Sequence, residues 1–168
     1  MVLSRDELIP SLQHEVKILL HLAAKAGGAA RDYRPAPRQR STVELLRYLS
    51  MMAPALIEVA RSGTFDAAAW TAQERATDRL TFDQAVAAIA DQAAAFARLA
   101  PEWTDAWLRA EIAPWGETGS RGRFLVNFVL SGFSAYRMQL FLYLKASGHD
   151  ELGTINLWDG VDPPPKAI

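Results

Sequence analysis

The sequence contains no cysteine. That absence excludes a disulfide framework, a cysteine nucleophile and thiolate metal ligands. Histidine is nearly as scarce, with three residues, His14, His21 and His149, in a chain of 168. No apolar run approaches the roughly 20 residues needed to cross a bilayer. Residues 1–7 are polar and charged and lack the apolar core of a signal segment. The expectation is a cytoplasmic protein with no membrane partner. An excess of either sign of charge is also missing. The formal net charge is -1, which provides no general drive toward nucleic acid or anionic surfaces. No Gly-rich loop follows a strand, and no nucleophile elbow occurs, so neither a phosphate cradle nor a serine hydrolase site is supported. No convincing β-alternating segment is present either.

Helical periodicity, by contrast, is plentiful. Half the residues are hydrophobic and 22% are charged, a composition suited to one globular domain with a real core. The reading is a single domain over residues 1–168 with an irregular tail from about 149. Three helix starts carry the capping-box spacing, Ser4 with Glu7, Ser41 with Glu44, and Thr81 with Gln84. In such a box the first side chain accepts from a free backbone N–H and the last reaches back.

The first helix presents Leu8, Leu12, Val16, Leu19 and Ala23, and Gly27 and Gly28 end it. Residues 31–40 form a loop broken by Pro35 and Pro37. The second helix presents Leu45, Leu49, Met52 and Leu56, contains Pro54, which is expected to kink it, and closes at Ser62 and Gly63. Residues 64–80 read as a mixed connection with a helical turn near 67–70. The third helix presents Phe82, Val86, Ile89, Ala93 and Phe96. Residues 102–119, with Trp103, Trp107 and Trp115, read as a short helical piece and a packed loop. Four long helices with short or medium connections predict an all-α four-helix bundle.

The fourth helix, about residues 120–147, is apolar nearly all round. At about 100° per residue, Leu125, Phe128, Gly132, Tyr136, Gln139 and Tyr143 share one face. Val126, Leu130, Phe133, Phe141 and Leu144 share the opposite one. Asn127, Ser134 and Lys145 form a narrow polar strip. Such a helix must be covered on both faces. Either residues 102–119 and the tail cover the second face, or a second copy of the chain does. A homodimer through the last helix is the preferred expectation.

Ionisable chemistry is poorly placed. His14 and His21 lie opposite the leucine stripe of the first helix and two turns apart, too far to chelate one ion; a solvated surface is expected for both. His149 follows the last helix, where it can meet terminal carbonyls. Arg31, Arg34, Arg38 and Arg40 read as a solvated loop rather than an anion site. The polar positions of interest are Tyr48, Tyr136 and Gln139, near Gly132. They form either a satisfied core network or the lining of a small-molecule pocket.

Residues 41–49, STVELLRYL, resemble the second-helix signature of the DinB-like (DinB/YfiT) superfamily. Residues 133–148, FSAYRMQLFLYLKASG, resemble its last-helix signature, and residues 156–162 look like the tail of many members. The resemblance implies a four-helix bundle, often dimeric, with a metal site made by one histidine on the second helix and a His-x3-His pair on the last. It further implies, for several members, thiol S-transferase chemistry with bacillithiol or mycothiol, or related isomerase or hydrolase activity.

The positions of that histidine triad match Tyr48, Gly132 and Tyr136, whereas Arg137, Gln139 and Leu140 still fit the pattern. Glycine offers no side-chain donor, and neutral tyrosine, with a pKa of about 10, is a poor ligand for a divalent ion. The favoured reading is a pseudoenzyme or small-ligand binding protein without metal or other cofactor, its pocket lined by Tyr48, Gly132, Tyr136 and Gln139. The alternatives are an enzyme of S-transferase or hydrolase type using non-standard residues, and a structural or regulatory homodimer.

Overall fold

The computed structural model describes residues 3–164. In chain order it contains α1 (Arg5–Lys25), a 3-10 turn (Gly28–Arg31), α2 (Thr42–Ser62), α3 (Ala67–Thr77), α4 (Phe82–Leu99) and α5 (Asp105–Arg109). There follow β1 (Glu111–Ile112), β2 (Gly119–Ser120), α6 (Arg121–Phe124), a π-helical stretch (Leu125–Leu130), α7 (Ser131–Ala146) and α8 (Thr154–Asp159). Helix α1 packs against α4 and α7, whereas α2 packs against α4, α7 and the π-helical stretch. Thus α1 and α2 occupy opposite corners of a square bundle, with α4 and the last long element at the other two.

The stripes read from the sequence face this core. Leu12, Leu19, Leu45, Leu49, Ile89, Phe96, Phe133 and Leu140 are all at or near zero exposure. Burying each contributes roughly 1.5–3 kcal/mol. The capping boxes set where the helices begin. Ser41 accepts from the Glu44 N–H, and the Glu44 carboxylate takes the Ser41 N–H. Thr81 and Gln84 do the same. At Ser4 the second half holds but the first differs. The Glu7 carboxylate takes both the Ser4 N–H and the Ser4 hydroxyl proton, each at 2.7 Å.

Helix α2 continues through Pro54. A proline cannot donate to the carbonyl four residues back, here that of Ser50. The buried amide of Gln92 on α4 takes over, donating to the Ser50 and Leu49 carbonyls at 3.0 Å each. Arg121 does a related job at the end of α2, donating from Nε to the Ala60 carbonyl at 2.9 Å.

Three connections are more ordered than the sequence predicts. Residues 64–80 contain the eleven-residue helix α3, started by Asp66 accepting from the Ala68 and Ala69 N–H groups. None of its residues is buried, so no apolar stripe announces it; the cap and the alanine run do. Residues 102–119 include an antiparallel ribbon in which Glu111 pairs with Ser120 and Ile112 with Gly119. Two-residue strands are too short to show alternation. The tail contains α8, whose first turn is closed by the Gly153 N–H donating to Asn156 Oδ1 at 2.9 Å.

Helix α8 lies on α1, which corrects the expectation for the histidines. His14 remains exposed, but its Nε2 meets the Trp158 carbonyl at 2.8 Å. His21 is mostly covered, and its Nε2 lies 3.1 Å from the Asn156 amide nitrogen. That amide nitrogen can only donate, so His21 accepts through Nε2 and carries its proton on Nδ1. Burial, with Lys25 and Lys17 nearby, pushes the imidazole below its usual range despite Asp162, favouring this neutral form.

Gly160 ends α8 in the left-handed region, with φ of 62°. A Cβ there would stand 2.9 Å from the Ile18 Cα. Gly160→Ala is therefore expected to lift the tail from α1 and to cost about 2 kcal/mol. Thermal unfolding and amide exchange at residues 154–159 would report it; an unchanged melting temperature with an unchanged exchange pattern would contradict it.

The last long helix also departs from its helical-wheel reading. The Ser131 N–H bonds to the Val126 carbonyl five residues back, and the Ser131 hydroxyl reaches the same carbonyl at 2.9 Å. The exposed strip runs through Asn127, Ser131, Ala135, Met138 and Leu142. Ser134, expected on the polar strip, instead donates to Glu15 on α1. Phe133 and Leu144, on the expected second apolar face, are fully buried within the chain, where α1 and α8 pack on α7. Val126, Leu130 and Phe141 of the same face are half-buried, and Phe128, Met138 and Leu142 are exposed.

Candidate functional site

Tyr48 comes from the middle of α2, and Tyr136 and Gly132 come from adjacent turns of α7. The two tyrosine rings meet edge to face, with centroids 5.2 Å apart. Gly132 faces Met52, one turn along α2 from Tyr48. A Cβ built on Gly132 would lie 3.2 Å from both the sulfur and the methyl carbon of Met52. The thioether thus fills the space a side chain at 132 would claim.

These residues line an open groove of about 540 Å³, together with Leu56, Phe65, Trp70, Trp115, Asn127, Phe128, Ser131 and Ala135. The rings form a continuous run. Tyr48 touches Trp70 at 6.3 Å between centroids, Trp70 touches Phe65 at 5.7 Å, Phe65 touches Trp115 at 5.7 Å, and Trp115 touches Phe128 at 4.8 Å. Five segments supply them: α2, the α2–α3 turn, α3, the β1–β2 loop and the π-helical stretch. Such a run is invisible to periodicity, because each ring sits on a different element.

Electrostatics around the groove are simple. The Arg40 guanidinium lies over the Tyr48 ring at 4.0 Å and also approaches Glu74 at 3.5 Å. Burial, followed by the neighbouring Tyr136 hydroxyl, pushes the Tyr48 phenol well above its ordinary range, against the opposing pull of Arg40. Tyr48 is therefore a neutral phenol at physiological pH and a poor base. Among the described residues, no charged side chain lines the groove.

Gln139, expected with the tyrosines, lies elsewhere. Its amide donates to the Tyr143 hydroxyl, which donates to the Arg40 carbonyl at 3.0 Å. This chain of bonds ties the 31–40 loop to α7. The four loop arginines do not converge. Arg31 bonds the Ala26 carbonyl and Arg34 the Glu44 carboxylate, while Arg40 lies over the Tyr48 ring. Among the described residues, no group of three or more His, Asp or Glu side chains is placed to hold a metal ion.

One charged pair escapes the sequence reading. Arg137 on α7 and Glu15 on α1 are both buried, with Nη1 and Oε1 3.2 Å apart. Ser134 donates to the same Glu15 oxygen at 2.9 Å, and the Trp158 ring lies 4.8 Å from the Arg137 guanidinium. Among the described residues, Glu15 Oε2 and Arg137 Nε have no partner. Glu15 sits between leucines in the first helix, and that placement is the signal that marks it.

No family model and no curated protein matches the sequence. Among solved structures, the chain is similar to the crystal structure of YjoA, a DinB-like protein from Bacillus subtilis. The two are 18% identical, with a TM-score of 0.66 over 88% of this chain and 95% of the other. With its square of four helices and its crossing connection from α1 to α2, this chain has the DinB-like fold.

Proposed function

We propose that this chain is a metal-free small-ligand binding protein, with its ligand in the groove of Tyr48, Gly132 and Tyr136. The observation that carries the reading is the aromatic-lined groove at Tyr48, Gly132 and Tyr136, the positions where the family resemblance implies metal ligands. The volume of about 540 Å³ falls in the range of small-molecule pockets, mostly apolar with a few polar groups. Tyr48, Tyr136, Asn127 and Ser131 supply those groups.

The metal implied by the family resemblance does not fit these residues. Gly132 has no donor atom, and the Met52 thioether occupies the space beside it. The Tyr48 phenol is held protonated by burial, so it has no charge to offer a cation.

Elemental analysis of protein purified without a metal-affinity step is expected to find zinc, nickel and manganese well below one ion per chain. Stoichiometric metal that disappears in Tyr48→Phe or Tyr136→Phe would overturn the proposal. Metal unaffected by both substitutions would overturn the metal-free reading while leaving the groove free for a ligand.

A further inference from the structure

We infer that the groove's ligand is an uncharged, flat aromatic molecule bearing a hydrogen-bond acceptor, inserted among the rings of Trp70, Trp115 and Phe128. The inference rests on the binding reading above and narrows its chemistry. Three observations select the class. First, the described lining carries no charged side chain, and the nearby cation, Arg40, is committed to the Tyr48 ring and Glu74. An ionised ligand would lose its hydration there without a partner.

Second, the walls are rings held at angles to one another. Trp115 meets Phe128 at 73° and Phe65 at 56°, and Trp70 meets Tyr48 at 60°. Rings so arranged offer both edges and faces to an inserted plane, and aromatic pairs favour offset-stacked and edge-to-face contacts. The Met52 sulfur on the floor is a further favourable neighbour for a ring. A flexible aliphatic chain gains nothing specific from these geometries and loses more rotamer entropy on binding. Third, Tyr48 and Tyr136 both line the groove, and Asn127 and Ser131 stand at its exposed rim. A tyrosine hydroxyl is a donor as well as an acceptor, so an acceptor on the ligand has a partner on this wall.

The test uses the intact chain and three probes, 1-acetonaphthone, 1-naphthoate and decanol. The first is neutral, flat and an acceptor; the second is its anionic counterpart; the third is neutral but aliphatic. Binding is read by quenching of tryptophan emission and by calorimetry. The expected result is saturable binding of the acetonaphthone at one per chain, with naphthoate and decanol at least tenfold weaker. Ala135→Trp, which fills the groove from an exposed position, and Trp115→Ala are expected to weaken it at least tenfold. Trp158→Ala, on the α8 side of the bundle, should leave it unchanged.

Equal or tighter binding of naphthoate or decanol, still lost in Ala135→Trp, would overturn the ligand class and leave the groove as a binding site. Absence of binding by all three probes, or binding indifferent to both groove variants, would overturn the site itself. A dimer in light scattering that Ala135→Trp converts to monomer, with no probe bound to either form, would give the groove to a second copy and overturn the inference.

Discussion

Replacing Arg137 with methionine is expected to destabilise the chain by about 3–5 kcal/mol, a large fraction of the stability of a domain this size. The reason lies in what remains. Glu15 and Arg137 are both almost wholly buried and bridge α1 to α7 at 3.2 Å. Without the guanidinium, the Glu15 carboxylate keeps only the Ser134 hydroxyl and sits as an uncompensated charge in a low-dielectric interior.

The pair itself has a smaller net value. Desolvating two ions costs several kcal/mol, and two of their atoms, Glu15 Oε2 and Arg137 Nε, remain unpartnered among the described residues. The double variant Glu15→Leu with Arg137→Met is therefore expected to recover most of the loss, to within about 1–2 kcal/mol of the parent. Urea unfolding of the four chains of the cycle measures both numbers. Additive losses in the double variant would show that the charges are not coupled. Arg137 lies away from the groove and serves the α1–α7 contact.

The second large effect is expected at Gln92. Gln92→Leu keeps the shape and removes the donor to the Ser50 carbonyl that Pro54 leaves without its helical partner. A buried acceptor left unpaired costs about 1–3 kcal/mol, so a loss near the middle of that range is expected. Pro54 is exposed, so Pro54→Ala can restore the missing N–H without disturbing packing. In that background Gln92→Leu should cost less than half as much. An equal cost in both backgrounds would mean that Gln92 acts through packing alone.

The core of the bundle is legible in the sequence because each long helix shows its buried stripe and because caps mark three of the starts. The stripes of α1, α2 and α4 need only local information. The rest depends on partners far away in sequence. Helix α3 has no fully buried residue and so has no stripe. Helix α8 is held by Asn156 meeting His21 across 135 positions, and no local pattern encodes that bond. His21 thus reads as solvated from its helical face, yet the folded tail covers it.

At the site, the resemblance places Tyr48, Gly132 and Tyr136 together, and the two rings do meet at 5.2 Å. The helical face groups Gln139 with them, but its amide turns toward Tyr143 and the 31–40 loop. The contributions of Phe65, Trp70 and Trp115 are out of reach of the sequence, since each arrives on a separate segment that the apolar stripes do not describe.

The π-helical stretch, Leu125–Leu130, has a consequence for how the last helix is aimed. A hydrogen bond reaching five residues back encloses one residue more than the usual four. Each residue turns an α-helix by roughly 100°. The wide turn therefore works like a swivel joint between two regular rods. It lets Arg121 and Phe124 address the end of α2 and the tryptophans, while Tyr136 and Gly132 keep their own heading toward the groove. One sequence thereby serves two directions that no straight rod of the same length would serve together.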